Sequence, residues 1–141
     1  MGKSKIAVID ITAFSALIIV LVTGIILHLK KHGLLIEPRS VIKVIHWCAG
    51  YIFVIMASWH FAIHKKWLGM IHAKQPLYWA LLVSLPALVL LTFGTGTVKL
   101  LVHGIRGLGM WHYWLGLIMS AALVLHISKA LPYLLRSLRK S

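Results

Sequence analysis

Four long apolar segments constrain the fold more than any other feature of this chain. Each exceeds the roughly 18 residues that mark a candidate membrane span. Backbone polar groups must pair internally in a bilayer, so we expect each segment to be a helix. Almost no chain remains for a soluble domain, and we therefore predict one membrane domain over residues 1–141, an all-α integral membrane four-helix bundle. The predicted spans are Ile6–Leu29, Val41–His64, Leu77–Leu101 and Met110–Leu135.

The charge balance indicates how such a domain sits in the membrane. The chain has 15 Lys and Arg against two acids, Asp10 and Glu37. Because the basic residues are scattered over loops and tails, they suit anionic lipid head groups and not nucleic acid. Nine lie in the N-terminus, second loop and C-terminal region and six in the other loops, which places both termini in the cytoplasm. Asp10, near the start of the first span, suits the positive end of the helix dipole.

Two of the spans carry the same histidine spacing. His46 and His60 are 14 positions apart in the second span, and His112 and His126 are 14 positions apart in the fourth. Fourteen residues of α-helix rise about 21 Å and complete nearly a whole number of turns, so each helix presents both histidines on one face. Ionisable groups inside spans are costly and usually functional.

The two histidine helices are predicted to form His/His pairs. Both are even-numbered spans and so run in the same direction, which brings His46 level with His112 and His60 level with His126. One pair then lies towards each leaflet of a core about 30 Å thick. Two such pairs are what two six-coordinate b-type haems require, and haem iron needs no protein carboxylate. The alternative is that these are interior histidines that only form hydrogen bonds within the bundle.

Glycines accompany the predicted pairs. Gly50 and Gly116 follow the first histidine of each pair by four positions and share its helix face. They would leave the flat surface that a haem ring needs. Gly24, Gly94 and Gly96 in the other two spans would make room for the porphyrins.

The two halves of the chain also resemble each other weakly. Thr23-Gly24 and His32-Gly33 in the first half correspond to Thr95-Gly96 and His103-Gly104 in the second. Both sets precede a span with the His, Gly, His spacing, which indicates a weak internal repeat.

Other residues leave alternatives open. His64 lies one turn beyond His60 and shares its face approximately, so His64 is an alternative ligand, although the spacing would then no longer match the fourth span. His28, His64, Arg39 and Arg106 are candidate contacts for a quinone or for haem propionates. The single cysteine, Cys48, and the absence of Cys-x-x-Cys-His exclude covalent c-type haem and thiolate iron–sulfur clusters.

These motifs resemble known families. The paired spacing is similar to the haem core of cytochrome b in the respiratory quinol-oxidising complexes. A closer likeness in size is to the small four-helix dihaem membrane cytochromes of bacteria and archaea, the flavinylation-associated type. The resemblance covers all four spans. The segments that carry it are Ile45-His-Trp-Cys-Ala-Gly50, His60-Phe-Ala-Ile-His64-Lys-Lys-Trp67 and Met110-Trp-His-Tyr-Trp-Leu-Gly116 through His126.

The resemblance implies two haem b cofactors in a multi-pass protein of the prokaryotic inner (cytoplasmic) membrane. It implies electron transfer between the quinone pool and a partner redox protein: a flavoprotein, an iron–sulfur protein or a multihaem cytochrome c. The chain would then be an electron-transfer subunit more than a self-contained enzyme. Open alternatives are a stand-alone quinone-coupled oxidoreductase acting for instance on superoxide, a haem or metal transporter, a structural anchor without cofactor, and a third redox or quinone site.

Overall fold

The computed structural model describes residues 3–33, 39–64, 76–102 and 104–138. Within those ranges the chain forms helices and no strand. Each helix matches a predicted apolar segment to within three residues at either end, so the all-α prediction is confirmed. The helices are α1 (Lys3–Lys31), α2 (Arg39–His64), α3 (Pro76–Leu101) and α4 (Leu108–Leu138).

Glycine and proline set the helix ends. Gly33 has a left-handed φ of 78°, and its N–H donates to the Lys30 carbonyl oxygen at 3.1 Å, which closes the last turn of α1. Pro76 is the first residue of α3, where its missing N–H is harmless. Gly107, with φ of 82°, precedes α4, and its carbonyl accepts from the N–H of Trp111 at 3.1 Å.

All four helices are long and apolar enough to cross a membrane, over Ile6–Lys31, Ser40–His64, Trp79–Leu101 and Leu108–Lys129. Large apolar side chains point outwards along them: Ile11 is 65% exposed and Leu90 is 66% exposed. A lipid environment accepts such surfaces, whereas water penalises them. The orientation of the termini stays a prediction, and part of the basic set on which it depends lies outside the described residues: Lys65, Lys66, Lys74, Arg139 and Lys140.

The chain divides into two compact units, residues 1–73 and 74–141. In the first, α1 packs against α2, and in the second, α3 packs against α4. We call these units the first and second hairpins. The core of the first contains Ile9, Ala16, Leu17, Ala49 and Phe53, and that of the second contains Leu85 and Met119.

Each hairpin buries the residue midway between its two histidines. Phe53, seven positions after His46, is 5% exposed, and Met119, seven positions after His112, is 3% exposed. The face of α2 that carries His46 and His60 therefore borders α1, and the face of α4 that carries His112 and His126 borders α3. The four-helix bundle, the single domain and the approach of α2 to α4 stay predictions.

Candidate functional site

His46 on α2 is held by α1 through one ring nitrogen. Its Nδ1 lies 3.1 Å from the Val20 carbonyl oxygen and 3.0 Å from Thr23 Oγ1. A carbonyl oxygen only accepts, so Nδ1 carries the proton. The Thr23 hydroxyl donates to the Ile19 carbonyl at 2.6 Å, which leaves its oxygen to accept from His46. In the neutral ring the lone pair then lies on Nε2, and a metal would be bound through that atom.

His112 on α4 is held by α3 in the same way. Its Nδ1 lies 3.0 Å from the Thr92 carbonyl oxygen and 3.3 Å from Thr95 Oγ1. The Thr95 hydroxyl lies 2.8 Å from the Leu91 carbonyl, to which it donates. His112 therefore has the same tautomer as His46. The acceptors at Val20 and Thr92 are backbone carbonyls, which either residue type provides.

Gly24 and Gly96 let the two rings approach. A Cβ atom on Gly24 would lie 3.2 Å from His46 Cε1, and one on Gly96 would lie 2.8 Å from His112 Cε1. These two glycines lie against the rings of predicted ligands, and their predicted role in making room for porphyrins stays a prediction. The Thr-Gly repeat thus has a physical meaning, since in each hairpin the threonine accepts a hydrogen bond from the histidine and the glycine leaves space for its ring.

Gly50, Gly94 and Gly116 have more space around them. Among the described residues, a Cβ atom on Gly50 or Gly94 would meet nothing within 4 Å. On Gly116 it would be 3.9 Å from Thr92 Cγ2, an ordinary contact. The position beside Gly50 is therefore open, whereas Gly116 faces Thr92 on α3, and the predicted contact of both glycines with a haem ring stays a prediction.

His60 makes a different contact with α1. Its Nδ1 lies 2.7 Å from Asp10 Oδ1, with the two side chains 38% and 29% exposed respectively. The carboxylate accepts, so this histidine also carries its proton on Nδ1. The sequence placed Asp10 in the first turn or two of the helix, but α1 begins at Lys3, so Asp10 falls beyond the second turn. The predicted role of Asp10 at the helix dipole is therefore wrong, since such effects fade within one turn.

His64 shares the face of His60, as predicted. Their ring centroids are 4.5 Å apart, with an interplanar angle of 46°. One ligand atom each from Asp10, His60 and His64 lies within 4.8 Å of the others, so the described residues include a three-donor group that could hold a metal ion. The hydrogen bond that His60 donates to Asp10 orients the His60 ring and distinguishes it from that of His64.

The remaining predicted site residues lie elsewhere. His126 is half-buried on α4. The His28 ring, near the end of α1, is 4.7 Å from the ring of His32. Arg106 is exposed in the segment before α4. Arg39 is the first residue of α2, but its side chain lies outside the described residues, as do the loop residues His72 and His103.

Sequence reasoning missed Asp10 as a partner of His60 and the two carbonyls that hold His46 and His112. A signal for the first was present. In an antiparallel hairpin, a residue near the start of α1 comes level with one near the end of α2, and Asp10 is the one acid in the first span. The carbonyl contacts had no signal, because every residue has a carbonyl.

The predicted pairs His46/His112 and His60/His126 each join one hairpin to the other, and they stay predictions.

No family model, curated protein or solved structure matches this chain. His46, His60 and His112 each carry the proton on Nδ1, which is donated to an oxygen on the neighbouring helix. Histidines that bind metals usually donate their other ring nitrogen to such an acceptor, which fixes the tautomer and the ring orientation. In this orientation Nε2 of each neutral ring is the nitrogen that could bind a metal.

Replacing Thr95 with valine tests which acceptor holds His112. We expect the free energy of unfolding to fall by about 1 kcal/mol, the usual net value of one hydrogen bond, because the Thr92 carbonyl still accepts the Nδ1 proton. Thermal unfolding in detergent, followed by circular dichroism, measures the change. Thr97→Val on the same helix is the matched control, and a loss of several kcal/mol for Thr95→Val alone would show that the hydroxyl is the main acceptor.

Proposed function

We propose that the chain is a dihaem b-type membrane cytochrome that transfers electrons across the membrane between the quinone pool and a partner redox protein. The observation that carries the proposal is the shared orientation of His46, His60 and His112, each of which donates an Nδ1 proton to the neighbouring helix. A proton held on Nδ1 by the neighbouring helix leaves Nε2 of the neutral ring as the atom that can bind a metal.

In this proposal α2 and α4 lie side by side. His46 and His112 would hold one haem and His60 and His126 the other, with Nε2 as the ligating atom of His46, His60 and His112. Gly50 and Gly116 would keep side chains away from the bound groups. Haem b, when bound, supplies one-electron redox chemistry. The helices would orient the four imidazoles, and two histidines at each haem would leave neither site to bind a substrate directly.

His60, not His64, is the proposed ligand at the second pair. Asp10 accepts the Nδ1 proton of His60 at 2.7 Å, and a hydrogen-bonded carboxylate is a common partner of a metal-bound histidine. His60 also keeps the 14-residue spacing that matches His126 on α4.

The membrane surface completes the proposal. His28, Arg39 and Arg106 lie at or beside helix ends, where haem propionates or a quinone head group would come within their reach. A net charge of +13 with neutral histidines favours anionic lipids and an acidic redox partner. The proposed location is the cytoplasmic membrane of a prokaryote, with both termini in the cytoplasm.

A second candidate function is supported by the three-donor group. Asp10, His60 and His64 offer two imidazoles and one carboxylate, with ligand atoms within 4.8 Å of one another. That donor set suits a divalent transition metal such as Zn²⁺ or Fe²⁺. On this alternative the chain is a metal-binding membrane protein, for instance a transporter, and its histidine spacing has no role in haem binding.

An optical spectrum of the purified chain tests the proposal. We expect about two haem b per chain by pyridine haemochrome, with the sharp α-band of low-spin, six-coordinate iron after reduction. The chain is expressed with an adequate haem supply. Elemental analysis of the same sample measures bound metal and so distinguishes the cytochrome from the metal-binding protein. A haem-free chain that carries one equivalent of a transition metal would overturn the cytochrome proposal in favour of the metal site.

A further inference from the structure

The Nδ1 proton of His60 is accepted by a carboxylate, that of Asp10, whereas those of His46 and His112 are accepted by uncharged groups. His46 and His112 donate Nδ1 to backbone carbonyls, at 3.1 Å and 3.0 Å. His60 donates to the Asp10 carboxylate at the shorter distance of 2.7 Å. A charged acceptor withdraws the Nδ1 proton more strongly than a neutral carbonyl does.

The internal repeat identifies what the second hairpin has in place of Asp10. Val20 and Thr92, Thr23 and Thr95, and Gly24 and Gly96 are each 72 residues apart. The residue 72 positions after Asp10 is Leu82 on α3. The chain has one other acidic side chain, Glu37, which lies in sequence between α1 and α2 and outside the described residues. The repeat is thus symmetric around His46 and His112 and asymmetric around His60 and His126.

We infer that Asp10 is a positioning residue that makes the two haems unequal, lowering the reduction potential of the haem held by His60 and His126 relative to the one held by His46 and His112. This inference rests on the proposed function. A carboxylate that accepts the Nδ1 proton raises the basicity of the ligand, and a more basic ligand stabilises ferric over ferrous iron. The negative charge beside the ligand acts in the same direction. Electron transfer is then favourable from the His60 end of the hairpin towards the His46 end.

The test measures both potentials in the haem-loaded protein. A spectroelectrochemical titration of the α-band should resolve two transitions in the unmodified chain. Asp10→Leu, which installs the side chain of the repeat position, should move the lower transition upwards and leave the other in place. We expect a shift of about tenfold in the relative affinity for ferric over ferrous iron, which is ~59 mV for a one-electron couple. Asp10→Asn keeps the shape of the side chain, removes its charge and should give a smaller upward shift.

Single-haem backgrounds assign the effect. In a His46→Ala background, which keeps the His60/His126 haem, Asp10→Asn should shift the remaining potential. In a His126→Ala background, which keeps the other haem, the same substitution should leave the potential unchanged. The electron paramagnetic resonance signal of the oxidised low-spin haem should change in the first background and not in the second.

The outcomes separate the two claims. If the unmodified chain binds no haem, the proposed function fails and the inference falls with it. If two haems bind and Asp10→Asn and Asp10→Leu leave both potentials and both resonance signals unchanged, the inference alone is overturned. A shift of equal size in both single-haem backgrounds would also overturn it, since that would be a general charge effect.

Discussion

His46→Ala and His112→Ala are each expected to halve the haem content, from about two haems per chain to about one. On the proposed pairing these residues bind the same iron from opposite faces, so either loss leaves that iron with one axial imidazole. The two variants should therefore keep the same remaining haem, with the same α-band position and potential. His60→Ala and His126→Ala should keep the other haem. Haem per chain is measured by pyridine haemochrome, and the identity of the retained haem by its redox titration.

Double variants test which histidines share a haem more directly than single variants do. His46→Ala combined with His112→Ala should cost no more haem than either change alone, since both act on one site. His46→Ala combined with His60→Ala should remove both haems. If His46→Ala and His60→Ala retain the same haem, the pairs are assigned wrongly.

Two further variants serve as controls. His32→Ala removes an exposed histidine just beyond α1 and should keep two haems. His64→Ala should also keep two, because the Asp10 hydrogen bond orients His60 as the ligand. If His64→Ala loses a haem while His60→Ala keeps both, the ligand at that position is His64.

The helices were predictable because a membrane permits few backbone conformations for a long apolar segment. Long apolar runs must become helices there, and the ends followed from glycine and proline, as at Gly33 and Pro76. The ends differed from the prediction by up to three residues, and at α1 this small difference mattered. It moved Asp10 from the second turn of the predicted helix to beyond the second turn of α1, and so removed the electrostatic role that the sequence had suggested.

The candidate site was predictable only in part. Equal spacing identified His46, His60, His112 and His126, since helical periodicity converts sequence spacing into position on a face. What holds those rings depends on which turn of the neighbouring helix lies opposite, and spacing within one helix contains no information about that. The contacts at Val20 and Thr92 are made by backbone carbonyls, so no residue type marks them. Thr23-Gly24 and Thr95-Gly96 were visible as a repeat, but their meaning required the structure.

Gly96→Ala is expected to weaken haem binding at the His46/His112 pair by about tenfold or more, the scale found when the groups that orient a metal ligand are changed. The new methyl group would lie 2.8 Å from His112 Cε1, so the imidazole must move away from the position that its bond to Thr92 defines. Gly24→Ala should have a smaller effect, because its methyl group would lie 3.2 Å from His46 Cε1 and a shift of a few tenths of an ångström relieves the contact.

In Gly96→Ala, helix propensity and the contact with the His112 ring act in opposite directions. Alanine favours a helix interior over glycine by about 1 kcal/mol, so Gly96→Ala should stabilise α3 unless the ring contact matters. Thr97→Ala places the same side chain one position further along α3, with a gain in helix propensity and no new contact with His112. Titration of the haem-depleted protein with haem measures the affinity of each variant, and redox titration identifies the affected haem. Equal affinities for Gly96→Ala and Thr97→Ala would show that the glycine is not needed to seat the ring, and the role assigned to the Thr-Gly repeat would then fail.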